Sequence, residues 1–255
     1  MTIRSSFFER FKNQQYIEQL KKIPHKFSAI HNEESSTTEI TVYGVIGDSW
    51  WEDSVSASDI DNALKQAGNN DILINLNSPG GDAFDGISIY NRLKRHTGKV
   101  KVHVDGWACS AASIIAMAAD ELIMGTGSMI MIHEGSTIAW GKKGDFLKTA
   151  DMLSKLDDSI VDIYMTKATK ERDEIVSLVE NETWFTANEA IDIGFANQVQ
   201  ESTTSATAAS TMKIDQQQIQ EIIKAVTNNL KQNNNQTNEP APPAPVQTKR
   251  KGFIF

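Results

Sequence analysis

The chain holds one cysteine in 255 residues, Cys109. A lone thiol closes no internal disulfide, so no oxidising compartment is implied and a cytoplasmic setting is expected. Basic charge is also in short supply: 25 Lys and Arg stand against 33 Asp and Glu, a net charge of -8. That balance argues against nucleic-acid binding, whose usual footprint is a basic face. Long apolar runs are missing. The longest small and apolar stretch, Ala108 to Ala119, is about half of what a bilayer crossing needs. The opening Met-Thr-Ile-Arg-Ser-Ser-Phe-Phe-Glu-Arg carries charges where an export signal would have its apolar region, so no membrane anchor or export signal is expected. Proline is scarce until the end, with four of six falling between Pro240 and Pro245. There is no Walker-type phosphate loop and no internal repeat.

What remains is ample for a core, since 40% of the residues are apolar. Residues 1 to 35 are polar and weakly patterned, with Phe7, Phe8 and Phe11 spaced as one side of a short helix that either packs on the main body or docks a partner. From residue 36 to 200 strand and helix patterns alternate. Ile40 to Ile46 alternates and is β-branched, and Ser58-Asp-Ile-Asp61 resembles a capping box opening a helix. Asp71 to Leu76 reads as a buried strand, Ala83 to Arg95 as a helix and Val100 to Val104 as a strand. A small-residue helix follows at Ala111 to Ala119, then short strands at Glu121 to Met124 and Met129 to Ile132. Leu147, Leu153, Leu156, Ile160, Ile163 and Tyr164 form the apolar stripe of a long helix over 146–169. Such alternation implies an α/β fold with a mostly parallel sheet. Residues 201 to 255 read as a Ser/Thr/Ala linker at 202–211, an amphipathic helix over about 214–231 and a flexible Pro-rich tail ending Lys-Arg-Lys-Gly-Phe-Ile-Phe.

The chemistry-bearing pattern centres on Asp105-Gly-Trp-Ala-Cys-Ser110-Ala-Ala-Ser113, a strand end running into the small-residue helix. A hydroxyl at such a turn sits beside free backbone N–H groups that can hold an oxyanion, although small-residue helices more often serve close packing. Upstream, Asn77-Ser-Pro-Gly-Gly-Asp82 follows a strand and precedes a helix. Its glycines let backbone N–H groups approach a ligand, or simply make a tight turn. Downstream, His133 stands at the end of an apolar strand before Glu134-Gly135, where it faces a cleft or is satisfied within the core. Glu182 is the candidate carboxylate to orient such a histidine, or else an exposed acid ahead of a helix.

Between about Glu39 and Gln200 these motifs, in this order, resemble the Clp protease proteolytic-subunit family of serine peptidases, in its phage and prophage head-maturation branch. Asn77-Ser-Pro-Gly-Gly81 is similar to that family's oxyanion loop, and Gly106-Trp-Ala-Cys-Ser110-Ala-Ala to its nucleophile turn. Met131-Ile-His133 is similar to its histidine strand, and Glu182-Thr-Trp-Phe-Thr-Ala to the segment beginning with its third catalytic residue. The resemblance implies a Clp-protease/crotonase-like fold of repeated β-β-α units. It implies Ser110 as nucleophile, His133 as general base and then acid, Glu182 as third member, and Gly81 and Ala111 N–H groups as the oxyanion hole. The family usually has Asp where this chain has Glu182, and often Met-Gly where it has Ala111-Ala112.

No metal and no cofactor is needed for that chemistry. The implied partners are peptide or protein substrates, with capsid or scaffold proteins expected from the branch, and copies of the chain itself in a heptameric or stacked ring inside the host cytoplasm or a procapsid. Three alternatives stand beside it. One is a cellular proteolytic subunit fed by an AAA+ unfoldase; another is a non-catalytic capsid assembly module. The third is a crotonase-like acyl-CoA enzyme, which uses paired glycine N–H groups without a serine.

Overall fold

The computed structural model describes residues 25–47 and 54–200. The phenylalanine-bearing segment near the N-terminus, the linker at 202–211, the helix expected over 214–231 and the Pro-rich tail lie outside the described residues. Among the described residues, eight strands form one mixed sheet, mostly parallel, in the order β1-β2-β5-β6-β7-β10, with β8 alongside the end of β6 and β9 alongside β8. These strands are β1 (Lys26–Asn32), β2 (Thr37–Tyr43), β5 (Asp71–Ser78), β6 (Val100–Cys109), β7 (Glu121–Met124), β8 (Met129–Ile132), β9 (Thr183–Thr186) and β10 (Gln198–Val199). Two short strands, β3 (Val45–Ile46) and β4 (Ser54–Val55), pair separately. The helices are α1 (Ala57–Ala67), α2 (Ala83–Lys94), α3 (Ala111–Ala116), α4 (Lys143–Met165), α5 (Arg172–Glu180) and α6 (Ala187–Asp192).

Alternation explains the central strands. Ile72, Ile74 and Leu76 on β5 and Val100, Val102 and Val104 on β6 are buried on one face, while Asn75 and His103 between them stay on the other. The register aligns Ile72 with Val100 and Leu76 with Val104, then shifts before Ser78 meets Ala108. That irregularity lies where both strands end at the motifs of interest. No helix among the described residues is long and apolar enough to cross a membrane.

Three expectations are corrected. Residues before 36 contribute a strand: β1 pairs antiparallel with β2 from Lys26, so the sheet starts ten residues before the expected boundary. It escaped notice because it is an edge strand with most side chains exposed, so it carries no apolar alternation. The run Ile40 to Ile46 is not one strand, because Gly44 at φ 105° turns the chain out of the main sheet into β3. The capping box belongs to Ser56 and Asp59, not Ser58 and Asp61. Ser56 Oγ accepts the Asp59 N–H, and the Asp59 carboxylate takes the Ser56 N–H at 2.9 Å.

Candidate active site

β6 delivers Ser110 directly, since the strand runs on to Cys109 and not only to Val104. Ser110 then turns sharply, at φ 54° and ψ -124°, into α3. This is strained backbone for a residue with a Cβ, and it persists only where its surroundings over-determine it. Its N–H donates to the Met131 carbonyl of β8 at 2.9 Å, which ties the turn to the strand that carries His133. Two strands later, His133 Nε2 lies 2.7 Å from Ser110 Oγ. The two residues are 23 positions apart in sequence and are brought together because β6 and β8 pair in parallel, Cys109 opposite Met131.

The glycine loop closes the site from the β5 side. Gly80 packs against the turn so tightly that a Cβ there would stand 2.5 Å from the Cys109 carbonyl and 2.6 Å from Ser110 Cβ. Its φ of 92° also suits glycine alone. The loop is pinned on its other side: Gly80 N–H donates to Ser78 Oγ at 3.1 Å, its carbonyl accepts the Ile46 N–H at 2.8 Å, and the Asp82 N–H reaches the Ile46 carbonyl at 2.9 Å. Among the described residues, these bonds leave out the Gly81 N–H, and the Ala111 N–H at the first position of α3 is likewise outside them. Asp82 caps α2 by accepting from the Phe84 and Asp85 N–H groups.

Electrostatics divide the site unevenly. Burial pushes the His133 imidazole below its ordinary 6.5, opposed by the charges of Glu182, Asp157 and Glu134. The imidazole is therefore neutral near pH 7, the state in which Nε2 can accept the serine proton. Cys109, one residue before Ser110, is buried and its thiol is pushed up to about 12, by burial first and by the Glu182 charge second. A thiol in that state is no nucleophile.

Glu182 stands at the start of β9, exposed, at φ 46°. Its carboxylate accepts from Trp184 Nε1 at 3.4 Å, and among the described residues its hydrogen bonds do not include His133. Its charge opposes the effect of burial on the His133 imidazole. The loop after His133 is held instead by α4, where Asp157 Oδ1 accepts the Gly135 N–H at 2.7 Å. Asp157 lies outside every sequence motif, and Trp184 was visible only as one residue of the segment that begins at Glu182. Ser113 and Tyr164 also escaped sequence reasoning as polar groups; Tyr164 was visible only as part of an apolar stripe, although a buried phenol generally needs a partner.

The family model described as Clp protease matches residues 38–203. The chain is 30% identical over 135 residues to the ATP-dependent Clp protease proteolytic subunit of Deinococcus radiodurans, covering 52% of this chain and 66% of that one. It is 32% identical over 132 residues to the ATP-dependent Clp protease proteolytic subunit 1 of Protochlamydia amoebophila, covering 50% and 64%. The chain thus spans just under two thirds of the length of these relatives. A solved structure of a ClpP1 mutant from Listeria monocytogenes superposes with a TM-score of 0.57 at 23% identity, over 67% of this chain and 94% of that one, a likeness of fold. With the family model extending from β2 to beyond β10, and with the serine turn, histidine strand and glycine loop lying inside it, the chain belongs to the Clp protease family.

Proposed function

We propose that the chain is a serine endopeptidase. The observation that carries this reading is the 2.7 Å approach of His133 Nε2 to Ser110 Oγ on a strained turn, beside the Gly81 and Ala111 N–H groups that the local backbone bonding leaves out. Neutral His133 takes the Ser110 proton as Oγ attacks the peptide carbonyl, and the two N–H groups hold the tetrahedral oxyanion. The resulting imidazolium protonates the leaving amine. Water, deprotonated by the same imidazole, then hydrolyses the acyl-enzyme. Glu182 stabilises the imidazolium through its charge. The chemistry uses no group other than these side chains, N–H groups and water.

The experiment is fluorophosphonate labelling of the full chain with identification of the modified residue. Adduct on Ser110, together with a loss of peptide hydrolysis of about three orders of magnitude or more in Ser110→Ala, is the expected outcome. No adduct on the parent would leave an assembly module or an acyl-CoA enzyme as the better account.

On the protein substrate, two readings have specific support. The family match ends at residue 203, and the Ser/Thr/Ala segment, amphipathic pattern and Pro-rich tail beyond it suit a head-maturation protease tethered to the scaffold or capsid shell it cuts. The relatives are named as ATP-dependent proteolytic subunits, which favours a cellular subunit of an ATP-dependent protease; on that reading the chain forms a ring and receives substrates from an AAA+ unfoldase. Cleavage of purified scaffold and capsid proteins without ATP supports the first. Degradation of a folded substrate only with an unfoldase and ATP supports the second.

A further inference from the structure

Two hydroxyls are paired with each other deep in the core. Ser113 on α3 is 0% exposed and Tyr164 on α4 is 1% exposed. Ser113 Oγ donates to the Ser110 carbonyl at 2.6 Å. A serine hydroxyl has one proton, so in its 2.7 Å bond with Tyr164 the phenol is the donor. Burial raises the Tyr164 phenol well above its ordinary range, which keeps that proton in place. The bonds therefore run in one direction, from Tyr164 to Ser113 to the carbonyl of Ser110.

That carbonyl is also reached by the Ser113 N–H at 2.9 Å and the Ile114 N–H at 3.3 Å. It belongs to the same peptide unit as the Ala111 N–H. Because the unit is planar and trans, holding the oxygen in one direction aims the N–H in the opposite one. A packing role would not require two buried hydroxyls here, since Ala and Phe fill nearly the same space without polar groups to satisfy.

We propose that Ser113 and Tyr164 are positioning residues that clamp the Ser110–Ala111 peptide plane, so that the Ala111 N–H points at the oxyanion while Ser110 Oγ stays against His133. This rests on the serine-peptidase reading. The clamp acts on the geometry of the transition state and not on peptide binding, so its loss falls on kcat and on the acylation rate while KM holds.

The test compares full-length parent, Tyr164→Phe, Ser113→Ala and the double variant by fluorophosphonate acylation rate, peptide kcat and KM, and melting temperature. Ser113→Ala should melt lowest, because it leaves the Tyr164 phenol buried without an acceptor. The double variant should recover most of that melting temperature yet remain about tenfold slower in acylation and kcat, with KM unchanged. A double variant that regains both stability and rate overturns the clamp and leaves the pair a core feature. A parent that takes no label at Ser110 overturns the peptidase reading, and the clamp with it.

Discussion

Ser110 and Glu182 are both non-glycine residues at positive φ, 54° and 46°, and the fold treats them in opposite ways. Both backbone groups of Ser110 itself are engaged, the N–H with β8 and the carbonyl with donors from α3, and Gly80 fills the space behind it. Around Glu182 there is an N–H bond to the Val179 carbonyl at 3.2 Å, an exposed side chain and one long hydrogen bond from Trp184. The nucleophile turn is held by close packing, where a fraction of an ångström matters. On the proposed reading the carboxylate works by charge over a longer range, where a methylene more or less is tolerated, which is compatible with Glu at this position.

Substitutions on the two sides should therefore differ sharply in size. Gly80→Ala places a methyl against the Cys109 carbonyl and Ser110 Cβ at a φ unsuited to alanine. The turn must shift, and a displacement of about 1 Å at a reacting atom can cost about a hundredfold. We expect at least that loss in acylation rate, with a lowered melting temperature; a rate near the parent's would mean the turn is not held by this contact.

Glu182→Gln should cost far less, about tenfold, compared with the roughly ten-thousandfold loss seen when a directly bonded triad carboxylate is neutralised. The sign of its pH effect is also set. Glu182 raises the His133 pKa against the larger effect of burial, so its neutralisation lowers that pKa further. The base is active when unprotonated, so the acidic limb of the kcat/KM profile should move to lower pH as the plateau drops. An unmoved limb would break the electrostatic link between the two residues.

Folding stability should carry the same signature. His133 has a folded pKa below its ordinary 6.5, so the unfolded chain binds more protons in acid. Its contribution is intact above pH 6.5 and is lost as pH falls through that value towards the folded pKa. Melting temperatures of parent and His133→Gln measured from pH 8 to 5 should diverge, the parent losing more as pH falls; parallel curves would show that this residue does not change protonation on unfolding. The smallest effect is at Cys109, next to the nucleophile. Buried and pushed up to about 12, its thiol should resist iodoacetamide in the native protein at pH 8, while fluorophosphonate reaches its neighbour. Alkylation at the rate of a free thiol would show that the turn opens.

Local pattern went furthest where an element is well buried. β7 and β8 lie where their apolar runs predicted them, and β5 and α2 differ only at their ends. Other elements were harder. β1 is exposed on most of its length, and the boundary of β2 hinges on a single glycine dihedral. α4 runs from Lys143 to Met165, not 146–169, because polar residues extend its exposed N-terminal end and Thr166 closes the other.

By itself, the sequence determined the central strands and helices, the α/β class and the residue types capable of acyl transfer, because hydrophobic periodicity and turn chemistry are local properties of the chain. Only the tertiary structure decided which of those residues meet. The parallel pairing of β6 with β8 brings His133 Nε2 to Ser110 Oγ, and the packing of α4 brings Tyr164 to Ser113 and Asp157 to Gly135. It also placed the Glu182 carboxylate against Trp184 Nε1, with no hydrogen bond to His133 among the described residues, since a bond depends on the final few tenths of an ångström that no residue spacing encodes.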